Sequence, residues 1–398
     1  MHIYFSGIGG AGIGPLALVA MQAGYEVSGS DKQDSSYITY LKSQGITNIH
    51  IGQEAEHIQQ AHTNHPIDWF VYSSALPLEN PNHPELIFCK DNNIKMTKRD
   101  ELLTQILHDK NLKLIAIAGT HGKTTTTAMT VWLMQQLGVT FSYLLPAKTS
   151  FAEMGAYSEG SEYFVYEADE FDRNFLSYSP ELSLLTGIDW DHPDIYPTRD
   201  DYNQAFKDFV AQSKATIVWD DDAARAGLAP AEGITTLFKA NPLDVTLPGR
   251  VNRENAALVI AGISSILATN EDLEEIMNRF PGVGRRFEKI SDHIYSDYAH
   301  TPPKIAGALQ LGHEVAGDNL VVIYEGLHNT RQHFIKDDLT TMFDTVKHLY
   351  VVPSYLARED AALALLSPQD LILLMNENIQ TKATATGLDN RLAEDIKR

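Results

Sequence analysis

The stretch LKLIAIAGTHGKTTTTAMTVWLMQQLG, residues 112–138, constrains the fold more than any other part of the sequence. The apolar run ahead of Gly119 reads as a buried strand, and the segment after it reads as an apolar helix ending at Gly138 in a C-cap position. A strand that runs through a glycine turn straight into a helix is the opening unit of an α/β domain. The turn itself, GTHGKT from Gly119 to Thr124, has the chemistry of a phosphate loop. It offers backbone N–H groups at a helix N-terminus, Lys123 for β- and γ-phosphate oxygens, and the Thr124 hydroxyl for Mg2+. It is shorter than the standard nucleotide loop, because Ile117 stands where the first glycine of that motif belongs.

A second unit of the same kind opens the chain. Ile3 to Ile8 reads as a strand, GIGGAG from Gly7 to Gly12 as the glycine turn opening a helix, and Asp31 ends the next strand roughly 20 residues on. This pattern serves NAD, FAD or a UDP-sugar, or is a tight turn that needs glycine for backbone reasons alone. At 398 residues the chain has room for two or three domains. Trp69 to Ser73 reads as a strand, Arg99 to Leu107 as a helix and His108 to Lys113 as a polar connector, which puts the first boundary near Asp109. Further strands are expected at Tyr163 to Tyr166, Leu182 to Thr186 and Thr216 to Trp219. A third α/β stretch is expected from about Ile290, with strands at His293 to Ser296, Asn319 to Tyr324 and His348 to Val352. The domains are therefore 1–108, 109–290 and 291–398. Asn390 to Arg398 reads as an amphipathic helix, after which a parallel sheet would be expected to continue into another strand.

A formal net charge of -21 repels polyanions, so nucleic acid and anionic membrane surfaces are excluded as general partners. An anion must be held locally. The single cysteine, Cys89, and the absence of a signal-peptide pattern at the start fit a cytoplasmic location, and no apolar run is long enough for membrane insertion.

Two acidic segments follow strands. YEADEFD, Tyr166 to Asp172, and DWDHPD, Asp189 to Asp194 with His192 inside it, supply oxygen and imidazole ligands for a hard cation facing a triphosphate. Either alone would also pass for a solvated turn. Together, beyond a phosphate loop, they read as a metal site. PGRVNRENA, Pro248 to Ala256, and GVGRRF, Gly282 to Phe287, bring arginines suited to an oxyanion, or are surface helix starts. DYAHTPPK, Asp297 to Lys304, places Asp297 to accept from ribose hydroxyls with His300 beside it, or to cap a proline-started helix.

In order and spacing, GIGGAG, GTHGKTTTT, EADE, DH, PGRxNxxN, GxGRRF and DYAHTP resemble the Mur ligase family, the amino-acid-adding enzymes of peptidoglycan synthesis and cell-wall biogenesis. The resemblance covers Gly7 to about Arg331. It implies an α/β chain of three domains: a Rossmann-like UDP-binding domain, a central P-loop ATPase-type domain and a C-terminal Rossmann-like α/β domain that closes over both. It also implies ATP and two Mg2+ ions, with Mn2+ able to replace them. Carried over by motif, the ATP-binding residues are Gly119, Thr120, His121, Gly122, Lys123, Thr124, Thr125, Asn252, Asn255 and Asp297. Thr124 and Glu167 would hold one metal and His192 the second. Lys123, Glu167, His192, Arg286 and His300 form the catalytic set, and Gly9, Ala11, Gly12, Asp31, Ser73 and Ser74 the UDP-sugar side.

The two glycine loops together most resemble the branch that opens the series by adding L-alanine to UDP-N-acetylmuramate, as a monomer or weak homodimer. Its FQPHRYTR-like acceptor stretch reads YEGLHNTR here, with Arg331 aligned and His328 displaced by one position; these two are the expected amino-acid-binding residues. That leaves serine, glycine or a recycled tripeptide as alternative acceptors. DYAHTP is closer to the diamino-acid-adding and folylpolyglutamate branches. Lys207 is offset by one residue from the position that relatives carbamylate, and takes no role here. A different class, a nicotinamide-dependent oxidoreductase using Gly7 to Gly12 and Asp31, would need no GKT.

Overall fold

A computed structural model describes residues 1–192, 195–239, 245–356 and 359–396. Pro193 and Asp194 of the DWDHPD segment, and Lys397 and Arg398 of the stretch expected to form a helix, lie outside the described residues.

Strands β1 (His2–Ser6), β2 (Glu26–Asp31), β3 (Ile49–Ile51), β4 (Trp69–Tyr72) and β5 (Lys95–Lys98) form a parallel sheet in the order β3-β2-β1-β4-β5. Successive side chains of a strand point to opposite faces, so β1 sends Ile3 and Phe5 to one core and Tyr4 to the other. The chain fills one side of β1 and then crosses to β4 on the other, which leaves a crevice between the C-terminal ends of β1 and β4. The helix that the first glycine turn opens runs from Gly14 to Gln22 and is short, with Pro15 in its first turn. The connector expected at 108–113 is shorter as well, because the helix Arg99–Asp109 keeps its hydrogen bonding through His108.

The second sheet has seven strands: β6 (Lys113–Ala118), β7 (Phe141–Leu144), β8 (Gly155–Ala156), β9 (Tyr163–Glu167), β10 (Leu182–Leu185), β11 (Ala215–Trp219) and β12 (Ile234–Leu237). Their order is β12-β11-β10-β6-β9-β7-β8, parallel except for β8 against β7. The helix Lys123–Gln136 follows β6, and Gly138 beyond it takes a positive φ of 67°, as a C-terminal glycine does. One hydrophobic cluster runs from Ile3 and Leu16 through Leu102, Leu103 and Ile106 to Leu114, Phe164 and Phe206. The first two sheets therefore share a core.

The chain divides into two compact units, Met1–Val245 with Glu254–Gly284, and Thr246–Arg253 with Arg285–Arg398. In the second unit, β13 (Glu288–Ser291) and β14 (Ile294–Ser296) pair as an antiparallel hairpin. The strand expected at His293 to Ser296 therefore lies outside the parallel sheet, which consists of β15 (Val321–Leu327), β16 (His348–Tyr355) and β17 (Ala383–Ala385). Tyr324, Leu339, Phe343, Leu349, Val351 and Leu371 fill its core. The helix Asn390–Ile396 follows β17.

Candidate active site

The glycine loop after β6 is held by its backbone. Gly119 has φ 131°, and a Cβ there would stand 2.5 Å from Thr186 Oγ1 and 2.8 Å from Gly187 O. Thr120 N donates to Gly187 O at 2.9 Å, and the Thr186 hydroxyl donates to His121 O, so the loop is sewn to the end of β10. Gly122 caps the helix Lys123–Gln136 at φ 81° without a side-chain cap, so the first-turn N–H groups, with Thr124 and Thr125 beside them, are of the kind that can take an anion. Asn255, buried in the helix Arg250–Ile266, packs on this glycine: a Cβ on Gly122 would meet its Oδ1 at 2.9 Å.

Strands β9 and β10 flank β6 on either side, and all three point the same way, so both acidic segments emerge beside the glycine loop. Lys123 Nζ donates to Glu170 Oε2 at 2.6 Å and to Gly119 O at 2.7 Å, with Asp169 at 3.8 Å. Burial works to discharge this ammonium, but Glu170, Asp169 and Glu167 outweigh it and hold its pKa above the ordinary lysine value. Glu170 is buried, which pushes its own pKa up against the pull of Lys123; among the described residues its Oε1 accepts no hydrogen bond. His192 Nε2 lies 3.8 Å from that oxygen and 3.8 Å from Asp191 Oδ2. Asp172, Arg173 and His192 all take φ between 55° and 57° without being glycine, a concentration of backbone strain at one spot.

At the first glycine loop, Gly7 N and Ile8 N donate to Ser30 O at 2.8 and 3.0 Å, tying the turn to β2. Asp31 Oδ2 accepts from Gly9 N at 2.8 Å, so this carboxylate already shapes the loop. Ser73 and Ser74 follow β4, across the crevice from that loop. A cavity of about 200 Å³ is bounded by Ala11 and Gly12 on one side and by Tyr166, Glu167 and Asp169 on the other, with Arg99 in its wall.

In the second unit, Asn252 donates from Nδ2 to Pro248 O at 2.8 Å, and Arg253 grips Glu314 with both nitrogens at 3.1 and 3.0 Å. Asp297 Oδ2 accepts from Phe287 N at 2.7 Å and so pins the GVGRRF turn, in which Arg285 and Phe287 take positive φ. Asp297 does not cap the following helix; that position belongs to Thr301, ahead of Pro302. Arg285 and Arg286 lie over the Tyr298 ring at 4.5 and 5.6 Å. The His300 imidazole is pushed down to about 4 by burial, with Lys304, Arg331 and Arg286 adding to the effect, and is neutral at pH 7. His328 takes φ 61° and ψ 130° at the N-cap of the helix Asn329–Met342, with Nδ1 3.7 Å from Glu359 Oε1.

Residues 2–111 match the profile described as Mur ligase family, catalytic domain, and residues 117–237 that of the Mur ligase middle domain. The UDP-N-acetylmuramate--L-alanine ligase of Thermobifida fusca (strain YX) is 30% identical over 406 residues, covering 90% of this chain and 84% of that protein. The enzyme of that name from a Nocardioides species is 32% identical over 377 residues, covering 90% and 82%. The chain belongs to the Mur ligase family. Its fold is that of the UDP-N-acetylmuramate-alanine ligase of Thermotoga maritima, with a TM-score of 0.77 at 22% identity over 99% of this chain and 92% of that one.

Within the first unit, this Mur ligase gathers Lys123, Glu167 and His192 at the ends of neighbouring strands and sets Asn255 against the phosphate loop. Arg286, Asp297, His300 and Arg331 belong to the second unit. The motif reading took the carboxylates of the EADE run together as cation ligands but gave an individual role to Glu167 alone, not to Asp169 or Glu170. Arg99 carries no local signal, being one charge among several in KRDE at a helix start. Lys207 Nζ points to the end of the helix Asp220–Ala226, where a Cβ on Gly227 would meet it at 3.2 Å.

Proposed function

We propose that this Mur ligase uses ATP to join L-alanine to the lactyl carboxylate of UDP-N-acetylmuramate through an acyl phosphate, in peptidoglycan precursor synthesis. Alongside the relatives that carry that name, one observation supports the reading. A phosphate loop with Lys123 and a carboxylate cluster stand at the C-terminal end of one sheet, and the cavity beside that cluster reaches the glycine loop of the other.

A carboxylate oxygen of the sugar attacks the γ-phosphorus, a new O–P bond forms, and the β–γ bridging bond breaks with its electron pair leaving on ADP. The alanine amine then attacks the acyl carbon, sheds its proton and expels phosphate. The chemistry asks for charge neutralisation and alignment more than for a protein nucleophile. Lys123 holds the transferred phosphoryl group, and the amides of the Gly119–Thr124 loop hold the others. Neutral His300 can accept a hydrogen bond and carries no charge at working pH.

The donor set fits divalent cations. Carboxylate oxygens of Glu170 and Asp169 lie 2.6 and 3.8 Å from a single ammonium with Glu167 on the same strand end, and a buried oxygen of Glu170 has no hydrogen-bond partner among the described residues. Thr124 and Glu167 would hold one Mg2+ and His192 a second, with Mn2+ able to take their place. The ions would supply charge neutralisation at the phosphates and at the substrate carboxylate. Among the described residues no helix is long and apolar enough to cross a membrane. We place the enzyme in the cytoplasm, as a monomer or weak homodimer.

The test is phosphate release from ATP with UDP-N-acetylmuramate across a panel of amino acids. Alanine should stimulate it, and Lys123→Ala should abolish it. Stimulation by serine, glycine or a tripeptide instead would keep the mechanism and change the acceptor. No stimulation by any of them, with Lys123→Ala matching the parent, would refute the ligase reading.

A further inference from the structure

The cavity between the first glycine loop and the acidic end of β9 has mostly apolar walls, with charge at one end only. Glu167 and Asp169 face it, and among its described lining residues Arg99 is the only cation. A substrate carboxylate brought next to those groups meets like charges, so a fixed positive group there has a definite use. Arg99 is built into place by its neighbours. Its Nε lies 3.7 Å from Asp100 Oδ1, and Asp100 is buried, accepting from Tyr178 OH at 2.9 Å and Tyr166 OH at 3.5 Å. Lys98 pairs with Asp172, so the side chains on either side of Arg99 both engage the segment at and after β9. Gly12 leaves the space the guanidinium occupies: a Cβ there would stand 2.6 Å from Arg99 Nη1.

We propose that Arg99 binds the carboxylate of the sugar nucleotide with its planar fork and holds it beside Glu167 and Asp169 for phosphorylation. A guanidinium presents two parallel N–H groups to a carboxylate, which fixes its plane as well as its position. The proposal rests on the ligase reading and adds a residue that selects for an acid at the sugar. Pyrophosphate is the other anion of the same substrate, and the test separates the two.

Calorimetry on the full chain compares the parent, Arg99→Met and Arg99→Lys with three ligands: UDP-N-acetylmuramate, UDP-N-acetylglucosamine, which lacks the lactyl carboxylate, and UDP. Losing a charged hydrogen-bonding pair should weaken UDP-N-acetylmuramate about tenfold to a hundredfold in Arg99→Met. UDP-N-acetylglucosamine and UDP should stay within about twofold of the parent, which also shows that the variant is folded. Arg99→Lys should recover part of the loss. Equal weakening of all three ligands would assign Arg99 to pyrophosphate or to structure and overturn the proposal, as would no change in any. A parent that binds UDP-N-acetylmuramate but releases no phosphate with any amino acid would instead overturn the ligase reading and leave the carboxylate contact standing.

Discussion

Gly119→Ala is the sharpest probe of the phosphate loop, because two costs coincide there and a nearby glycine isolates one of them. At φ 131°, an alanine has a conformational cost on the order of 1–3 kcal/mol. Its Cβ would also stand 2.5 Å from Thr186 Oγ1, 2.8 Å from Gly187 O and 3.0 Å from Gly187 N. Two of those atoms are backbone of the segment following β10, and overpacking of this kind costs about 1–3 kcal/mol more. The sum, about 2–6 kcal/mol, is a large share of a typical domain's stability of roughly 5–15 kcal/mol. Gly138 has φ 67° and nothing within 4 Å of the added Cβ, so Gly138→Ala carries the conformational cost alone, about 1–2 kcal/mol. Thermal melts should order the proteins parent, Gly138→Ala, Gly119→Ala. ATP affinity, measured by calorimetry at a temperature where both variants are folded, should fall at least about tenfold in Gly119→Ala as the loop amides shift, and stay unchanged in Gly138→Ala. If the two variants melt together and both bind ATP like the parent, the account of this loop as sewn to β10 is wrong.

Two further perturbations follow from the charges. Lys123→Met leaves Glu170 buried without its cation, and breaking such a pair costs about 3–5 kcal/mol. Because burial already raises the Glu170 pKa, the loss should be greatest at neutral pH and shrink as pH falls and the carboxyl takes a proton. Denaturant melts of Lys123→Met and Lys123→Met/Glu170→Gln across pH should show the double variant regaining stability but not activity. His300 titrates at about 4 in the fold against 6.5 in the unfolded chain. Its contribution is fully present above about pH 6.5 and is lost as pH falls toward 4, because there the unfolded chain binds a proton that the fold does not. After discounting for its partial exposure this is roughly 1–2 kcal/mol. An NMR titration placing the His300 pKa above 6 would contradict it.

Much of the chemistry was legible because it is local. A strand entering a glycine turn and a helix is a contiguous signal, so both glycine loops could be placed from residues a few positions apart, as could the C-terminal glycine at Gly138. The strands that went unread are short or half-polar. In β5, KMTK, only Thr97 is buried, and β17 has none of its residues buried, so neither carries the apolar run that marks a central strand. The strand expected at His293 to Ser296 is present as β14, but its partner is the exposed β13, a pairing with no apolar run to announce it.

By itself the sequence determined that this chain has two strands that run through glycine turns into helices and two acidic strand ends, because each rests on the identity of neighbouring residues. The tertiary structure alone decided that β9 and β10 are the two neighbours of β6, and thus that Asp169 and Glu170 meet Lys123 and that His192 approaches Glu170. It alone set Arg99 against Gly12. Pairing between strands far apart in sequence is chosen by which faces bury together in a shared core, and no short stretch of residues records that choice.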